Sequence, residues 1–389
     1  MMGDERFSQY LRAFDEEPPV SIRLNPLKST GLTVGDGQQV AWCPEGYYLS
    51  RRPQFTMDPL LHAGCYYVQE AASMFVSHVL RQFVSRPVSM LDLCAAPGGK
   101  STAAIAAVPR GSTLVSNEPM RQRASILAEN ITKWGYPGCT VTNSYPQDFR
   151  KAKARFDVIL CDVPCSGEGM FRRDAATIGE WSPKQVERCW RLQREILSDA
   201  WACLNEGGLL IYSTCTFNTQ ENEENVSWFC EEYGAELLSV PTQPEWHITG
   251  SLLAGFSGPV YRFIPGITRS EGLFVAVLRK SREGRSVECG VRNVSSQHSG
   301  LTILTQHSTL NTPQITTDLS YPQAIAYLRG EALQLPPETP RGIVTVSFEG
   351  HPLGTVKNIG TRANNQYPKE WRIKTTHTPN SYEAILRHT

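Results

Sequence analysis

The sequence predicts an α/β fold whose centre is a doubly wound parallel sheet, with smaller domains on both sides. Between about residues 88 and 216, short β-rich runs alternate with amphipathic stretches, and this alternation is typical of parallel sheets covered by helices. The 389 residues are enough for two or three domains. After residue 281 the composition changes to Ser, Thr, Gln and Asn, which indicates a boundary beyond the central domain.

These observations divide the chain into four parts. We predict a small N-terminal α+β domain over 1–85, the α/β domain over 86–281, a linker over 282–320 and a mixed β domain over 321–389. The predicted central elements, in chain order, are strand 88–94, helix 100–108, strand 112–118, helix 119–135, strands 139–144 and 156–162, a helix over 186–204 and a buried strand over 209–216. Gly207-Gly208 is predicted to end the long helix. In the C-terminal domain we predict a helix over 321–333 and two strands within 342–360 around a turn at 349–352.

Charge and cysteine content restrict the classes of function. The formal net charge is +0, so a polyanionic partner must be bound by local patches, and nothing indicates more than a monomer. The eleven cysteines form no close CxxC pairs, which predicts neither a zinc site nor a disulfide framework. The sequence shows no signal core and no apolar run long enough to cross a bilayer. We therefore expect a cytoplasmic protein without a metal or a membrane contact.

The segment "LDLCAAPGGKST", residues 91–102, resembles a phosphate-binding P-loop but has Cys94 where that loop needs its first glycine. It follows the first strand, at the sheet edge where ligands of such folds bind. Gly98 and Gly99 allow close approach of the backbone, and the next helix favours negative charge. Glu118 ends the second strand, where an acidic side chain binds ribose hydroxyls. Together these features predict that the loop binds S-adenosylmethionine. The glycine fingerprint of a dinucleotide site is absent, and a turn that binds no ligand remains the alternative.

Two cysteines and an aspartate follow the fourth and fifth strands. "CDVPCSGEG" places Asp162 and Cys165 at one strand end, and "YSTCTF" places Cys215 at the next. A thiolate that adds to carbon 6 of a pyrimidine activates carbon 5 for methylation, and a second thiol can assist release. Asp162 can bind the base and stabilise developing charge. Lys100 either lowers a thiolate pKa or only begins its helix.

Other residues near these motifs have simpler predicted roles. Cys161, Cys189 and Cys203 lie in apolar patterns and are predicted to belong to the core. Arg172-Arg173 are predicted to contact phosphate, with an ordinary surface pair as the alternative. The segment "ENEENV", residues 221–226, is predicted to be a capped, solvated helix start.

Over about residues 20–280 the chain resembles the Sun-type (Nol/Nop/Sun) family of RNA cytosine-5 methyltransferases, in "SIRLNP", "GCYYVQEAASM" and the motifs above. The resemblance implies a Rossmann-like class I methyltransferase domain, with Cys215 as nucleophile and Cys165 as the partner that resolves the adduct. It also implies a set of residues that contact S-adenosylmethionine or the base: Cys94, Ala95, Ala96, Pro97, Gly98, Gly99, Lys100, Glu118, Arg123 and Asp162. Some members carry an acidic residue at the position of Ser144, so this contact stays open between Asn143 and a backbone group.

The C-terminal domain is predicted to bind RNA. "AIAYLRGEAL", "HPLGTVKNIG" and "NNQYPKEWR" resemble the PUA-like domain of the bacterial branch that modifies small-subunit ribosomal RNA. Seven Lys and Arg against three Asp and Glu occupy residues 341–389. Tyr367 and Trp371 alternate with Lys369, Arg372 and Lys374, a mixture that suits phosphates and unpaired bases, although a solvated face over a core stripe has the same pattern. The predicted partner is ribosomal RNA or a ribosomal subunit.

Three other functions are alternatives to RNA cytosine-5 methylation. A DNA cytosine-5 methyltransferase would use the Pro-Cys thiol, Cys165, as nucleophile and would not need Cys215. An amino-methyltransferase would carry Asp/Asn-Pro-Pro-Tyr/Phe where this chain has "DVPC". A non-catalytic ribosome-assembly factor would have no use for both cysteines.

Overall fold

The computed structural model describes residues 2–281, 301–306, 316–377, 379 and 381–388. The N-terminal part contains a four-stranded antiparallel sheet of order β3-β4-β1-β5. Its elements are α1 Asp4–Arg12, β1 Val20–Leu24, β2 Leu32–Val34, β3 Gln38–Val40, β4 Cys43–Leu49, α2 Pro59–His62, β5 Tyr66–Val68 and α3 Phe75–Phe83. None of the helices in the described part of the chain is long and apolar enough to span a membrane.

The central domain is one large mixed sheet with helices on both faces. Its strands are β6 Ser89–Asp92, β7 Thr113–Asn117, β8 Cys139–Thr142, β9 Phe156–Asp162, β10 Leu204–Thr214, β11 Glu236–Leu237, β12 Tyr261–Phe263, β13 Leu273–Arg279 and β14 Ile303–Gln306. Its helices are α4 Gly99–Ala107, α5 Arg121–Trp134, α6 Pro146–Lys151, α7 Ala176–Glu180, α8 Pro183–Cys203 and α9 Glu223–Tyr233. The strand order β10-β9-β6-β7-β8 is parallel throughout, as predicted.

Antiparallel strands extend both edges of this parallel sheet, which the sequence did not predict. β13 pairs with β10 and in turn carries β11 and β12, so β10 lies inside the sheet. At the opposite edge β14 pairs with β8. Because β14 lies within the predicted linker, that prediction is wrong at these residues: the chain returns and covers the free edge of β8. The rest of the predicted linker, 282–300 and 307–315, lies outside the described residues.

The predicted role of Gly207-Gly208 is wrong. Helix α8 ends at Cys203, and the two glycines belong to β10, where the pairing with β9 shifts register between Leu204 and Leu209. Gly207 has a φ of 75°, which an L side chain rarely adopts, and its N–H donates to the Lys280 carbonyl. The glycines therefore shape an irregularity inside the strand and do not end the helix.

The two faces of the sheet bury separate apolar clusters. On one face, Val79 of α3, Ala103 of α4 and Leu127 of α5 pack against the strands. On the other face, Leu197 of α8 and Phe229 of α9 do the same, in a cluster that also holds Cys161 and Cys203. Cys189 is also buried, so all three predicted core cysteines are confirmed as buried.

The C-terminal part contains a further sheet of order β15-β16-β17-β18. Its elements are β15 Thr316–Asp318, α10 Tyr321–Arg329, β16 Gly342–Phe348, β17 His351–Asn358, β18 Ala363–Asn365 and β19 Leu386–His388. Like β14, β15 falls in the predicted linker and pairs with β16. The hairpin turn is Glu349-Gly350, both with positive φ, and His351 and Pro352 already belong to the strand. A two-residue turn of this kind matches the twist of paired strands.

The terminal domains share one core although they are distant in sequence. Ile22 and Leu60 lie in the same buried cluster as Ile325 and Val346. β19 pairs with β2, and the hydroxyls of Tyr66 and Tyr382 donate to opposite oxygens of the buried Asp58 carboxylate. The PUA-like and N-terminal domains therefore form one packed unit.

Candidate active site

Two adjacent parallel strands bring Cys165 and Cys215 together. Ser213 of β10 pairs with Asp162 of β9, so the loops that leave the two strands start at the same edge of the sheet. Cys165 Sγ lies 3.1 Å from Cys215 Sγ and 3.3 Å from the Cys215 backbone nitrogen, which donates to it. The structure thus places the two predicted cysteines in direct contact.

The contact makes the two thiols unequal. The two sulfurs lie within hydrogen-bonding distance, where either thiol can donate. The hydrogen bond with Cys165 lowers the pKa of Cys215 below its usual range, although burial opposes this shift. The same hydrogen bond, with burial, raises the pKa of Cys165 well above its usual range. Cys215 is therefore the sulfur that ionises first, and Cys165 keeps its proton.

Lys100 and Asp162 form an ion pair beside the thiols. Lys100 Nζ lies 2.8 Å from Asp162 Oδ2, and Ser213 Oγ donates to Asp162 Oδ1 at 2.7 Å. Burial alone would lower the pKa of Lys100, but the charge and hydrogen bond of Asp162 raise it. The ammonium charge of Lys100 also favours the Cys215 thiolate. Lys100 therefore does more than begin α4.

Glu168 joins the loop of Cys165 to the loop of Cys215. Its Oε2 accepts from the backbone nitrogens of Phe217 and Asn218, both at 2.9 Å. The next residue, Gly169, donates its N–H to the Cys215 carbonyl at 2.7 Å. A Cβ at Gly169 would lie 2.6 Å from that carbonyl oxygen, so only glycine allows this approach.

The predicted solvated helix start at 221–226 is wrong. Glu221, Asn222, Glu223 and Asn225 have no exposed surface. The Glu221 carboxylate accepts from Ser166 N at 3.1 Å, from Gln193 Nε2 at 2.6 Å and from Asn218 Nδ2 at 2.7 Å. Buried polar groups are stable only when paired in this way.

The acidic residues of this segment hold different parts of the site. Glu221 joins the residue after Cys165 to the loop of Cys215. Glu223 forms a buried ion pair with Arg262, whose Nη1 donates to the Phe217 carbonyl at 3.1 Å. Sequence analysis missed both roles, because charged residues in a row are usually exposed.

The Arg172 side chain is buried in an ion pair, which argues against the predicted contact with phosphate. Its side chain is 5% exposed and forms an ion pair with Glu271, Nη2 to Oε1 at 2.9 Å. The same Nη2 donates to the Ser270 carbonyl at 3.1 Å. The positive charge of Arg172 is therefore neutralised by Glu271 inside the protein, whereas the Arg173 side chain is exposed.

The segment 94–98 forms the loop between β6 and α4, and α5 supports it from outside. Ala95 N donates to Asn117 O at 2.8 Å, and Gly98, with a φ of 111°, precedes α4. Arg123 Nη2 donates to Ala96 O at 3.0 Å, and Asn130 Nδ2 donates to Pro97 O at 2.8 Å. Burial raises the pKa of Cys94, which therefore remains a neutral thiol.

Glu118 and Asp92 carry buried oxygens that no protein group satisfies. Glu118 Oε1 accepts from Met120 N at 3.0 Å, while Oε2 forms an ion pair with Arg123 Nη1 at 3.2 Å but receives no hydrogen bond. Asp92 Oδ2 accepts from Ser101 Oγ at 2.6 Å, and its Oδ1 has no partner. Burial raises the pKa of Asp92 to about 7. Sequence analysis missed Asp92, although it ends the first strand.

The sequence left open which group near Asn143 and Ser144 contacts the cofactor, and in the structure both side chains form hydrogen bonds with the protein. Asn143 Nδ2 donates to the carbonyls of Glu118 and Pro119, at 2.7 and 2.9 Å. Ser144 Oγ accepts from Thr302 N at 3.2 Å, just before β14. Asn143 thus connects the end of β8 to the residues that follow β7, and Ser144 connects it to the segment before β14.

Comparison with known protein families covers all three parts of the chain. The family described as 16S rRNA methyltransferase RsmB/F matches residues 85–279. The chain belongs to this family. The N-terminal domain of 16S rRNA methyltransferase RsmF matches residues 1–71, and the methyltransferase RsmF PUA domain matches residues 314–373. The predicted membership of the Sun-type methyltransferases, including a C-terminal PUA-like domain, is confirmed.

Individual relatives agree with the family. The ribosomal RNA small subunit methyltransferase F of Klebsiella pneumoniae is 28% identical, over 94% of this chain and 92% of that protein. Its counterpart in Escherichia coli O157:H7 is 33% identical, over 71% and 60%. A solved methyltransferase homolog protein from Pyrococcus horikoshii has a TM-score of 0.59 at 25% identity, covering 71% of this chain and 91% of that one. NSun6 from Pyrococcus horikoshii with SFG has a TM-score of 0.57 at 20% identity, covering 72% and 96%.

As a member of the RsmB/F family, the chain is an enzyme that methylates ribosomal RNA with S-adenosylmethionine, and the predicted cofactor is confirmed. A DNA methyltransferase and a non-catalytic assembly factor are not supported. The residues present fit the cofactor, because its ribose hydroxyls are donors and Glu118 Oε2 is a buried acceptor without a hydrogen bond. Its ammonium group needs an acceptor of the kind that Asp92 Oδ1 offers.

Replacing Glu118 with glutamine is expected to weaken S-adenosylmethionine binding by about tenfold to a hundredfold, because a charged acceptor of ribose hydroxyls is lost. The dissociation constant is measured by calorimetry without RNA. Glu129→Gln on α5, where Glu129 pairs with Lys133, is the control and is expected to bind normally. An unchanged dissociation constant in Glu118→Gln would exclude the ribose contact.

Proposed function

We propose that this ribosomal RNA methyltransferase acts on carbon 5 of a cytosine, through a covalent bond between Cys215 Sγ and carbon 6 of the base. The observation that carries the proposal is the contact between the two thiols. The sulfurs lie 3.1 Å apart, and the pKa of Cys215 is lowered while that of Cys165 is raised, so Cys215 is the sulfur that attacks and Cys165 the one that stays protonated. A thiolate adduct at carbon 6 is what turns carbon 5 into a nucleophile.

The first step is addition of the Cys215 thiolate to carbon 6. The electron pair of the ring double bond moves toward the nitrogen and oxygen edge of the base. The Lys100 ammonium and the Asp162 carboxylate, 2.8 Å apart, offer that edge one donor and one acceptor. The base reaches these groups only when it leaves its stack in the RNA.

S-adenosylmethionine supplies the methyl group that carbon 5 takes. The proton on carbon 5 then passes to water, the ring double bond re-forms, and Cys215 leaves as a thiolate. Cys165 still holds its proton and donates to the departing sulfur, which stabilises it as an anion. Without Cys165 the adduct forms but is released slowly.

The proposal predicts opposite behaviour for two single variants. Cys165→Ala is expected to retain RNA covalently after denaturing purification, whereas Cys215→Ala and the double variant retain none. Sequencing of the retained RNA identifies the cytosine. Adduct on Cys215→Ala would instead make Cys165 the nucleophile, and adduct on no variant would exclude the covalent mechanism.

A further inference from the structure

Two exposed apolar side chains lie in the segment that follows the Cys165 loop. Trp181, between α7 and α8, is 38% exposed, and Ile178 of α7 is 50% exposed. Neither belongs to an apolar cluster of the described residues. A single exposed apolar residue is ordinary, but an exposed tryptophan that follows the Cys165 loop so closely in the chain needs a reason.

The indole ring of Trp181 is tied to the catalytic loops through one side chain. Its Nε1 donates to Glu168 Oε1 at 3.0 Å. Glu168 Oε2 holds the backbone nitrogens of Phe217 and Asn218, and the residue after Glu168 donates to the Cys215 carbonyl. The ring is therefore oriented relative to Cys215 and still keeps part of its surface in solvent.

Exposed positive charge follows Trp181 closely in the chain. Lys184 and Arg188 are one turn apart on α8 and are both exposed. Glu187, between them in sequence, is already paired with Arg191 at 2.6 Å. An exposed aromatic ring followed in the chain by exposed cations suits the bases and phosphates of single-stranded RNA.

We propose that Trp181 is a stacking platform for the unpaired nucleotide next to the target base, with Lys184 and Arg188 near its phosphates. A base that moves into the pocket of Cys215 leaves its neighbour without a stacking partner, and the indole face replaces that partner. The inference deepens the proposed function, on which it rests for the position of the target base.

The test compares Trp181→Ala with Trp181→Phe on unmethylated small-subunit ribosomal RNA from cells that lack the gene. Trp181→Ala is expected to raise KM for this RNA by about tenfold to a hundredfold with little change in kcat, because one base loses its stacking partner. Trp181→Phe keeps an aromatic face and is expected to recover most of the affinity. Leu192→Ala, also 38% exposed and on α8, is the matched control and is expected to behave as the parent.

Two outcomes would overturn the inference. An unchanged KM for the RNA in Trp181→Ala would show that Trp181 is not a stacking platform. Equal defects in Trp181→Phe and Trp181→Ala would assign the effect to the lost hydrogen bond with Glu168. Covalent adduct on Cys165→Ala with Trp181 intact tests the proposed function separately, so a failure of the chemistry is distinguishable from a failure of the stacking.

Discussion

Replacing Cys215 with alanine is expected to lower the single-turnover rate of methyl transfer by about a thousandfold or more, since the reaction loses its nucleophile. S-adenosylmethionine affinity and the free energy of unfolding should change little, because Cys215 is partly exposed. Cys230→Ala, a half-buried cysteine on α9, is the control and should retain the parent rate. Substantial methyl transfer by Cys215→Ala would contradict the proposed mechanism.

The pH dependence of the same reaction follows from the contact between the thiols. In the proposed mechanism attack requires the Cys215 thiolate, so the rate is expected to rise with pH through the pKa of Cys215. The hydrogen bond from Cys165 lowers that pKa. Cys165→Ala removes the donor, which raises the pKa of Cys215 and shifts the rise in adduct formation to higher pH. Rapid-quench measurement of adduct formation across pH tests the direction of the shift.

The second large effect is expected at Glu221. Replacing it with alanine leaves Ser166 N, Gln193 Nε2 and Asn218 Nδ2 without their acceptor inside the protein. Each such group costs about 1–3 kcal/mol, so we expect a clear loss in the free energy of unfolding. We also expect kcat to fall by about a hundredfold, because the spacing of the two thiol loops relaxes.

Glu221→Gln separates positioning from simple structural support. It preserves the volume of the side chain but removes a negative charge that raises the pKa of Cys215. The rise in rate with pH should therefore move to lower pH, in the direction opposite to that of Cys165→Ala. Glu224→Gln, in the first turn of α9 just after Glu221, is the matched control. A Glu221→Gln variant with the parent pH profile would limit Glu221 to a structural role.

Much of the catalytic domain was predictable because its signals are local. Alternation of strands and helices, a glycine turn after the first strand and polar residues after the second, fourth and fifth strands each occupy a short stretch. Parallel strands end at one edge of the sheet, so these stretches meet by geometry alone. The loop 94–100, Glu118, Asp162, Cys165 and Cys215 were proposed as site residues in this way.

The predictions that were wrong depend on contacts between segments that are distant in sequence. Whether Arg172 faces RNA or Glu271, and whether residues 221–226 face solvent or Arg262 and Gln193, depends on packing partners far away in sequence. The antiparallel strands β12, β13 and β14 join the sheet by long-range pairing that no local pattern specifies.

The sequence by itself therefore determined the fold class and placed the candidate cofactor loop and the two cysteines at strand ends, because each depends on residue type in a short stretch. Only the tertiary structure decided that the two thiols are in contact, since that depends on a distance of 3.1 Å between residues 50 positions apart. It also decided that the terminal domains share one core, because their apolar faces meet only after the chain has folded around the central sheet.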